Sequence, residues 1–408
     1  MIKSLSIAAI TTACLLNFNC SAQQPDTKNI QRHIKILASD SLEGRGTGTA
    51  GGILAVTYVQ EQFKNLGLLP KGDGKLYTQK FGFKTGVHGT GTEGTAYNIV
   101  GYIDNKAANT IIIGAHYDHL GLGNQGSSLE ANSAGIIHNG ADDNASGTSG
   151  VIELARYFKT NKVTEKNNFL FICFSGEELG LYGSKYFTEH PTIDLAKVNY
   201  MINMDMIGRL EATKGLFVSG SGTSPVWEPL LKRLSTTEIP IKTDSSGTGP
   251  SDHTSFYLKN IPVLHFFTGS HSDYHKPSDD IEKINVAGEA SVLNVIIKLI
   301  EAVDKDSKLA FLTTKSKNMG GAAPFKVTLG VMPSYTSEEA GLKVDGVIDD
   351  RPAAKAGILS GDLILKIGEY DIKDIQDYMK SLGKFEKGQT VPVVVKRKDQ
   401  MVTVSLTF

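Results

Sequence analysis

The chain has 408 residues, too many for one ordinary domain and suited to a large domain with a small module attached. Its 42 basic and 43 acidic residues leave a formal charge of −1, so no overall field draws it to nucleic acid or to an anionic lipid surface. Three cysteines, of which Cys173 sits inside an apolar run as a small core residue, exclude a disulfide framework.

Met1-Ile2-Lys3, the apolar stretch from Leu5 to Phe18 and the exit Asn19-Cys20-Ser21-Ala22-Gln23 have the layout of a secretory signal over residues 1–22. The run falls short of the roughly 20 apolar residues of a spanning helix, so the mature chain is expected to have no transmembrane helix. Cleavage after Ala22 and lipid attachment at Cys20 both remain open; either makes the protein exported, whether periplasmic, anchored to the outer membrane or extracellular.

Ile30 to Leu37 and Ile53 to Leu66 read as helices around the glycine-rich stretch Asp40-Ser41-Leu42-Glu43-Gly44-Arg45-Gly46-Thr47-Gly48. Between Leu68 and Tyr97 there is room only for a short connection. Strands are expected at Ile99–Ile103, Thr110–Ala115, Phe169–Phe174, Val198–Asn203 and Val263–Phe267, and helices at Ser146–Phe158, Ser184–Phe187 and its continuation, Val226–Leu234 and Ala287–Val303. Alternation of this kind predicts an α/β domain over residues 27–305, with a largely parallel central sheet flanked by helices. A Lys, Ser, Thr and Gly stretch reads as a linker over 306–322. Short β-rich segments follow over 323–408, ending in a hairpin pattern around Lys398-Asp399-Gln400.

Four of the expected strands have acids and imidazoles at or just past their C-terminal ends, the edge where open α/β sheets build their sites. They are His116-Tyr117-Asp118-His119, Gly176-Glu177-Glu178, Met204-Asp205-Met206 and His271-Ser272-Asp273-Tyr274-His275; a fifth cluster, Asp142-Asp143-Asn144, precedes a helix. Singly, each has a plain reading: a lone strand-end His is a hydrogen-bonded structural residue, Asp142-Asp143-Asn144 a helix cap or turn, and Glu177-Glu178 a solvated charged turn. Jointly they suit a co-catalytic zinc pair. Two Zn²⁺ ions about 3.5–4 Å apart repel, so a carboxylate must bridge them while further acids and histidines complete each sphere. These residues alone do not choose between Asp142 and Asp143 as the bridge.

The segments Ala115 to Gly121, Asn139 to Gly147, Gly176 to Gly180, Asn203 to Gly208 and Tyr274-His275-Lys276-Pro277-Ser278-Asp279 resemble, in order, the five motifs of the bacterial leucyl-aminopeptidase-type di-zinc peptidase family. Leu37 to Arg45 is similar to that family's start. The resemblance implies that Asp143 bridges two zinc ions, that His116 and Asp205 complete one and Glu178 and His275 the other, that Glu177 is the general base, and that the Asp118 carboxylate orients His116. It also implies a cis peptide bond between Asp143 and Asn144. For His119, Ser251, Asp252 and His253, a substrate or supporting contact and a purely structural role both stand. His271 and Asp273 shape the loop before His275, and His33, His88, His138 and His190 receive no role.

The short connection before Tyr97 leaves no room for the large insertion of glutamate-carboxypeptidase-like members, which favours unblocked N-termini over acidic C-termini as substrates. An aminopeptidase acting on peptides is therefore expected, ahead of a carboxypeptidase or dipeptidase, a single-zinc glutaminyl cyclase, or a non-catalytic scaffold. Thr328-Leu329-Gly330-Val331, Gly346-Val347-Ile348, Pro352 to Ile358 and Gly361 to Gly368 resemble a PDZ domain of the bacterial protease-associated kind. That resemblance implies capture of a peptide C-terminus at the Leu329–Val331 loop; a module that merely packs against the enzyme is the alternative.

Overall fold

A computed structural model describes residues 24–84, 93–124, 128–130, 132–305, 307–314, 327–333, 339–347 and 351–408. The signal-like opening, His88, Ile348, and residues 306 and 315–322 of the expected linker lie outside these residues.

Helices α1 (Thr27–Leu37) and α2 (Ala50–Asn65) open the first domain. Each starts at a residue whose side chain accepts a backbone N–H that the helix leaves free: Asp26 from Lys28, and Thr49 from Gly52. The chain then runs through β1 (Leu69–Pro70), β2 (Thr78–Lys84), β3 (Glu93–Ile103), β4 (Asn109–His116), α3 (Gly147–Thr160), β5 (Asn167–Phe174), α4 (Tyr182–Glu189), β6 (Val198–Met204) and β7 (Leu216–Ser219). It continues through α5 (Trp227–Leu234), β8 (Ile241–Asp244), α6 (His253–Tyr257), β9 (Val263–Phe267) and α7 (Val286–Val303).

The nine strands form one sheet in the order β1-β3-β5-β4-β6-β9-β7-β8, with β2 also on β3. Strands β5, β4, β6 and β9 are mutually parallel, whereas β3 and β7 join them antiparallel. The parallel centre follows from composition: every residue of β4, β5 and β6 is buried, as a sheet covered on both faces requires. Successive side chains alternate between two cores. Ile111, Ile113, Phe169, Phe171 and Cys173 meet α1, α2, α3, α5 and α7 on one side. Ile112, Leu170, Ile172 and Phe174 meet Phe187 and Phe256 of α4 and α6 on the other. With His116 opposite Phe174 and Asn203 opposite His265, the C-terminal ends of the four parallel strands stand side by side.

Every expected strand and helix is present. The short elements β1, β7, β8 and α6 were not foreshadowed by any long apolar run, since they are two to five residues long. The connection before Tyr97 holds more than a loop: β2 pairs with β3 over seven positions, its buried and exposed residues alternating.

The second domain contains β10 (Val331–Pro333), β11 (Leu342–Val347), α8 (Pro352–Lys355), β12 (Leu363–Ile367), β13 (Tyr370–Asp371), α9 (Ile375–Leu382), β14 (Thr390–Arg397) and β15 (Gln400–Thr407). Among the described residues all its strand pairs are antiparallel, and β10 lies at an edge. Leu329, Val344, Ile364, Ile367 and Val393 build a core of their own. The two-residue turn between β14 and β15 is left-handed at both Lys398 (φ 45°) and Asp399 (φ 66°), the twist that suits a tight hairpin. Gly357, at φ 79°, ends the short helix α8 as its sequence suggests. No helix among the described residues is long and apolar enough to cross a membrane.

The expected linker needs correction. Residues 307–314 run along the first domain: Leu309 N donates to Asn199 Oδ1 (2.8 Å), Leu312 N to Thr223 O (2.8 Å) and Thr314 Oγ1 to the Tyr257 hydroxyl (3.0 Å). Phe311 packs on Tyr257 with ring centroids 5.5 Å apart. Main-chain clips and isolated apolar residues have no period, which is why a polar stretch conceals them. A chain ended near residue 315 is accordingly expected to keep the thermal midpoint of the first domain. One ended at residue 305 is expected to melt several degrees lower; equal midpoints for the two in calorimetry would show that the strap contributes nothing.

Candidate metal centre

Each potential ligand is placed by a local device at the edge of the sheet. His116 is the last residue of β4, and Tyr117 N continues the ladder to Phe174 O (2.9 Å). After β5, Gly176 at φ 71° turns the chain so that Glu177 and Glu178 occupy a tight turn closed by Gly180 N on Glu177 O (2.8 Å). Asp205 follows β6 and donates its amide to Phe266 O (3.1 Å). The Asp143–Asn144 peptide is cis. Asn144 then ties that bend to the end of β6, its Oδ1 accepting from Met206 N (3.2 Å) and its Nδ2 donating to Met204 O (3.0 Å). His275, itself left-handed at φ 55°, receives Leu129 N on its carbonyl (2.9 Å).

The structure turns Asp142 away, toward Gly208 N (2.7 Å) and His271 Nε2 (3.1 Å). Asp143 stands between two groups: Oδ1 is 3.5 Å from His116 Nε2, and Oδ2 is 3.2 Å from His275 Nε2. His116 Nε2 is also 3.3 Å from Asp205 Oδ1, and His275 Nε2 is 3.1 Å from Glu178 Oε2. A metal bound at about 2.0–2.1 Å in a tetrahedron separates its ligands by about 3.3–3.4 Å, so these gaps have the right size for shared metals. Two adjacent groups emerge, His116–Asp143–Asp205 and His119–Asp143–Glu178, each with donor atoms within 4.8 Å of one another and both using Asp143. This is the donor set of a binuclear metal site.

His119 is the first departure from the sequence reading, which left its role open. Fully buried, it points Nδ1 at Glu178 Oε1 (2.9 Å) and stands 3.8 Å from Asp143 Oδ2, with its ring 5.9 Å from that of His275. Its Nε2 has no hydrogen-bond partner among the described residues. Asp118 is the second. Its carboxylate lies 3.8 Å from His116 Nδ1, which instead donates to the Asp118 backbone carbonyl (3.1 Å). The carboxylate accepts from Thr47 Oγ1 (2.7 Å) and from Glu177 N (3.3 Å), because the chain bend after β4 aims it at those neighbours.

The charges sort the two adjacent glutamates. Burial, reinforced by the charges of Asp205, Glu178 and Asp252, holds the Glu177 carboxyl well above the usual range despite the opposing His116. Burial acts the same way on Glu178, but the charge of His275 and hydrogen bonds with His119 and His275 outweigh it and hold this carboxyl well below. Burial disfavours a proton on His116 and His275, yet the carboxylates around each raise both far above an ordinary imidazole. The pocket thus attracts positive charge strongly enough to overcome desolvation.

Of the other residues singled out, Ser251 accepts from Asn203 Nδ2 (2.8 Å), and His253 stacks on His265 at 4.5 Å. Burial raises Asp252 to about 7. Asp273 pairs with Arg209 (3.1 Å). His33, His138 and His190 bind or stack on Tyr58, Ser128 and Tyr186, outside both groups. Sequence reasoning assigned no task to Asp279, whose Oδ2 accepts the amides of Asp142 (2.9 Å) and Asp143 (3.0 Å) while Oδ1 holds Arg209 Nη2 (2.8 Å). Its position four residues after His275 in a quoted motif is the signal that it is needed.

Residues 98–300 match the model of peptidase family M28, and residues 327–408 that of a PDZ domain. The first domain belongs to peptidase family M28. This M28 chain is 30% identical over 234 residues to aminopeptidase YwaD of Bacillus subtilis, an alignment covering 53% of this chain and 47% of that protein. It spans about half the length of the curated relatives it matches. In fold it is similar to an aminopeptidase from Aneurinibacillus sp. strain AM-1 (TM-score 0.54, 17% identity, 72% of this chain and 97% of that one). It is equally similar to the Porphyromonas gingivalis glutaminyl cyclase (TM-score 0.56, 17% identity, 69% and 99%).

Because Asp279 supports the bend that carries Asp143, Asp279→Ala is expected to destabilise the metal-free protein by about 1–3 kcal/mol, the usual cost of leaving buried amides without their acceptor. Urea unfolding of the two proteins side by side measures it. A loss under about 1 kcal/mol would mean that the bend holds without this carboxylate.

Proposed function

We propose that the protein is an exported zinc aminopeptidase that removes N-terminal residues from peptides with a co-catalytic zinc pair. The observation that carries this reading is Asp143, one oxygen facing His116 and the other facing His275 between two adjacent donor groups. In it, His116 and Asp205 complete one zinc site and Glu178 and His275 the other, with His119 as a further imidazole at the second. The name and 30% identity of the Bacillus subtilis aminopeptidase support the activity, and the signal-like first 22 residues support export.

A zinc pair held there would supply Lewis acidity to the scissile carbonyl and would lower the pKa of water enough for it to be deprotonated near neutral pH. The chain's own work is proton transfer and orientation. Glu177, half-buried beside the cluster and held by its amide on Asp118, takes a proton from the attacking water as the C–O bond forms. When the C–N bond breaks, it returns that proton to the leaving amine.

The fold accommodates glutaminyl cyclisation as well. A single-metal cyclase, however, has no use for the second donor group around Asp143 and Glu178, so two-metal hydrolysis is favoured. In the PDZ domain, β10 follows Gly330, left-handed at φ 74°, and among the described residues it is an edge strand of the kind to which a peptide strand adds. A peptide C-terminus is its proposed ligand.

Metal analysis is expected to return two zinc equivalents per chain, with chelation abolishing turnover of aminoacyl chromogens and Zn²⁺ restoring it. Full activity at one equivalent, or hydrolysis of blocked but not free substrates, contradicts the proposal.

Glu177 and Glu178 give a sharper test. Glu178→Ala is expected to lower zinc content and activity together. Glu177→Gln is expected to keep both metals and lose roughly 10²–10⁴-fold in kcat. Near-normal kcat in a fully loaded Glu177→Gln protein would remove Glu177 from the mechanism.

A further inference from the structure

Arg45 is fully buried, yet among the described residues no carboxylate pairs with it. Its guanidinium is satisfied by main-chain carbonyls: Nε donates to Tyr117 O (2.7 Å), Nη1 to Leu37 O and Asn139 O (2.6 Å each), and Nη2 to Gly140 O (2.9 Å). These acceptors are placed tellingly. Tyr117 lies between His116 and Asp118, Asn139 and Gly140 lead into the bend that carries Asp143, and Leu37 ends α1 in the core.

The segment around Arg45 is fastened to the same loops. His119 N donates to Arg45 O (3.3 Å), Gly121 N to Gly44 O (3.1 Å) and Thr47 Oγ1 to Asp118 Oδ2 (2.7 Å). Gly44 is left-handed at φ 68°, and a Cβ there would stand 2.4 Å from His138 O, so only glycine lets the segment dock this closely. A planar guanidinium can span several carbonyls in fixed directions; a lysine ammonium, a point charge on a flexible stem, cannot.

We propose that Arg45 is a positioning residue of the metal centre: through the carbonyls of Tyr117, Asn139 and Gly140 it locks the His116 and Asp143 loops to each other and to α1, so that the ligand set is assembled before metal binds. This inference rests on the metal-peptidase reading above. Arg45 touches no reacting atom; it acts through the loops it clamps.

The test uses the full chain with Arg45→Lys and Arg45→Ala. Zinc affinity is read by competition with a chromophoric chelator, alongside the thermal midpoint of each metal-free protein and kcat and KM on an aminoacyl chromogen. The lysine variant is expected to fold, to lose about 10–100-fold in zinc affinity and to lose kcat more than KM changes. Millimolar guanidinium, against sodium chloride at equal ionic strength, is expected to restore part of the zinc affinity of the alanine variant.

A folded variant with wild-type zinc affinity overturns the proposal, and so does a loss that guanidinium leaves untouched, which would mark a general packing defect. Should neither variant fold, a crystal structure of the metal-free wild type decides. The ligand atoms of His116 and Asp143 are expected within about 0.5 Å of their places here; displaced ligands with the Arg45 bonds intact would refute the clamp. Wild-type protein that takes up no zinc sinks the metal-peptidase reading and this inference with it, whereas a variant-specific result bears on Arg45 alone.

Discussion

Carboxylates do not gather in a buried pocket unless positive charge holds them there. Asp118, Asp142, Asp143 and Asp279 are all buried, and Asp205 and Glu178 adjoin them half-buried at one edge of the sheet. Like charges packed together out of water repel and lose their hydration, so such a cluster needs compensating positive charge. The structure meets this in layers. Arg209 binds Asp279 on one side, and the buried Arg45 lies within the field of Asp143, Asp118, Asp279 and Glu178, whose charges offset only part of its burial, so that it is lowered to about 10 and keeps its charge near neutral pH. In the centre, His116 and His275 retain protons far more strongly than free imidazoles do. A divalent pair would replace those protons, which is how a pocket shaped by repulsion becomes a metal centre.

That constraint also separates two neighbours of identical chemistry. Glu178 faces two imidazoles and stays ionised, whereas Glu177, one residue earlier on the same turn, has more carboxylate than cation around it. A tight turn sends successive side chains in different directions. The turn after β5 therefore presents, from adjacent positions, one carboxylate that stays ionised and one that holds its proton more strongly, and Gly176 makes that turn possible.

Much of this was legible in the sequence because the central strands are buried on both faces and leave long apolar runs whose ends announce the site. Ile111 to Ala115 and Phe169 to Phe174 need no context to read as strands. The elements that went unread are short or half-exposed, such as β7 and β8, and the strap over residues 307–314 is held by main-chain bonds that leave no pattern. At the site, ligand-type residues showed through their types and their positions after strands, but directions did not. Sequence cannot tell that the Asp118 carbonyl rather than its carboxylate meets His116 Nδ1, nor that His119 faces Glu178. Both depend on how the backbone bends after β4, which is settled by contacts to Gly44 and Arg45 more than seventy residues earlier.

The supports of this centre act mainly on backbone atoms. Asp279 holds two amides, Asn144 an amide and a carbonyl, and Arg45 four carbonyls. Main-chain groups are present whatever side chain a position carries, so such a framework constrains the few residues that grip and the glycines that permit close approach, and little else. The motifs that carry these residues are accordingly short and far apart in the chain. The same arrangement keeps ligand side chains free of structural duty: His116 and Asp143 are aimed by their loops, and their donor atoms remain available for metal.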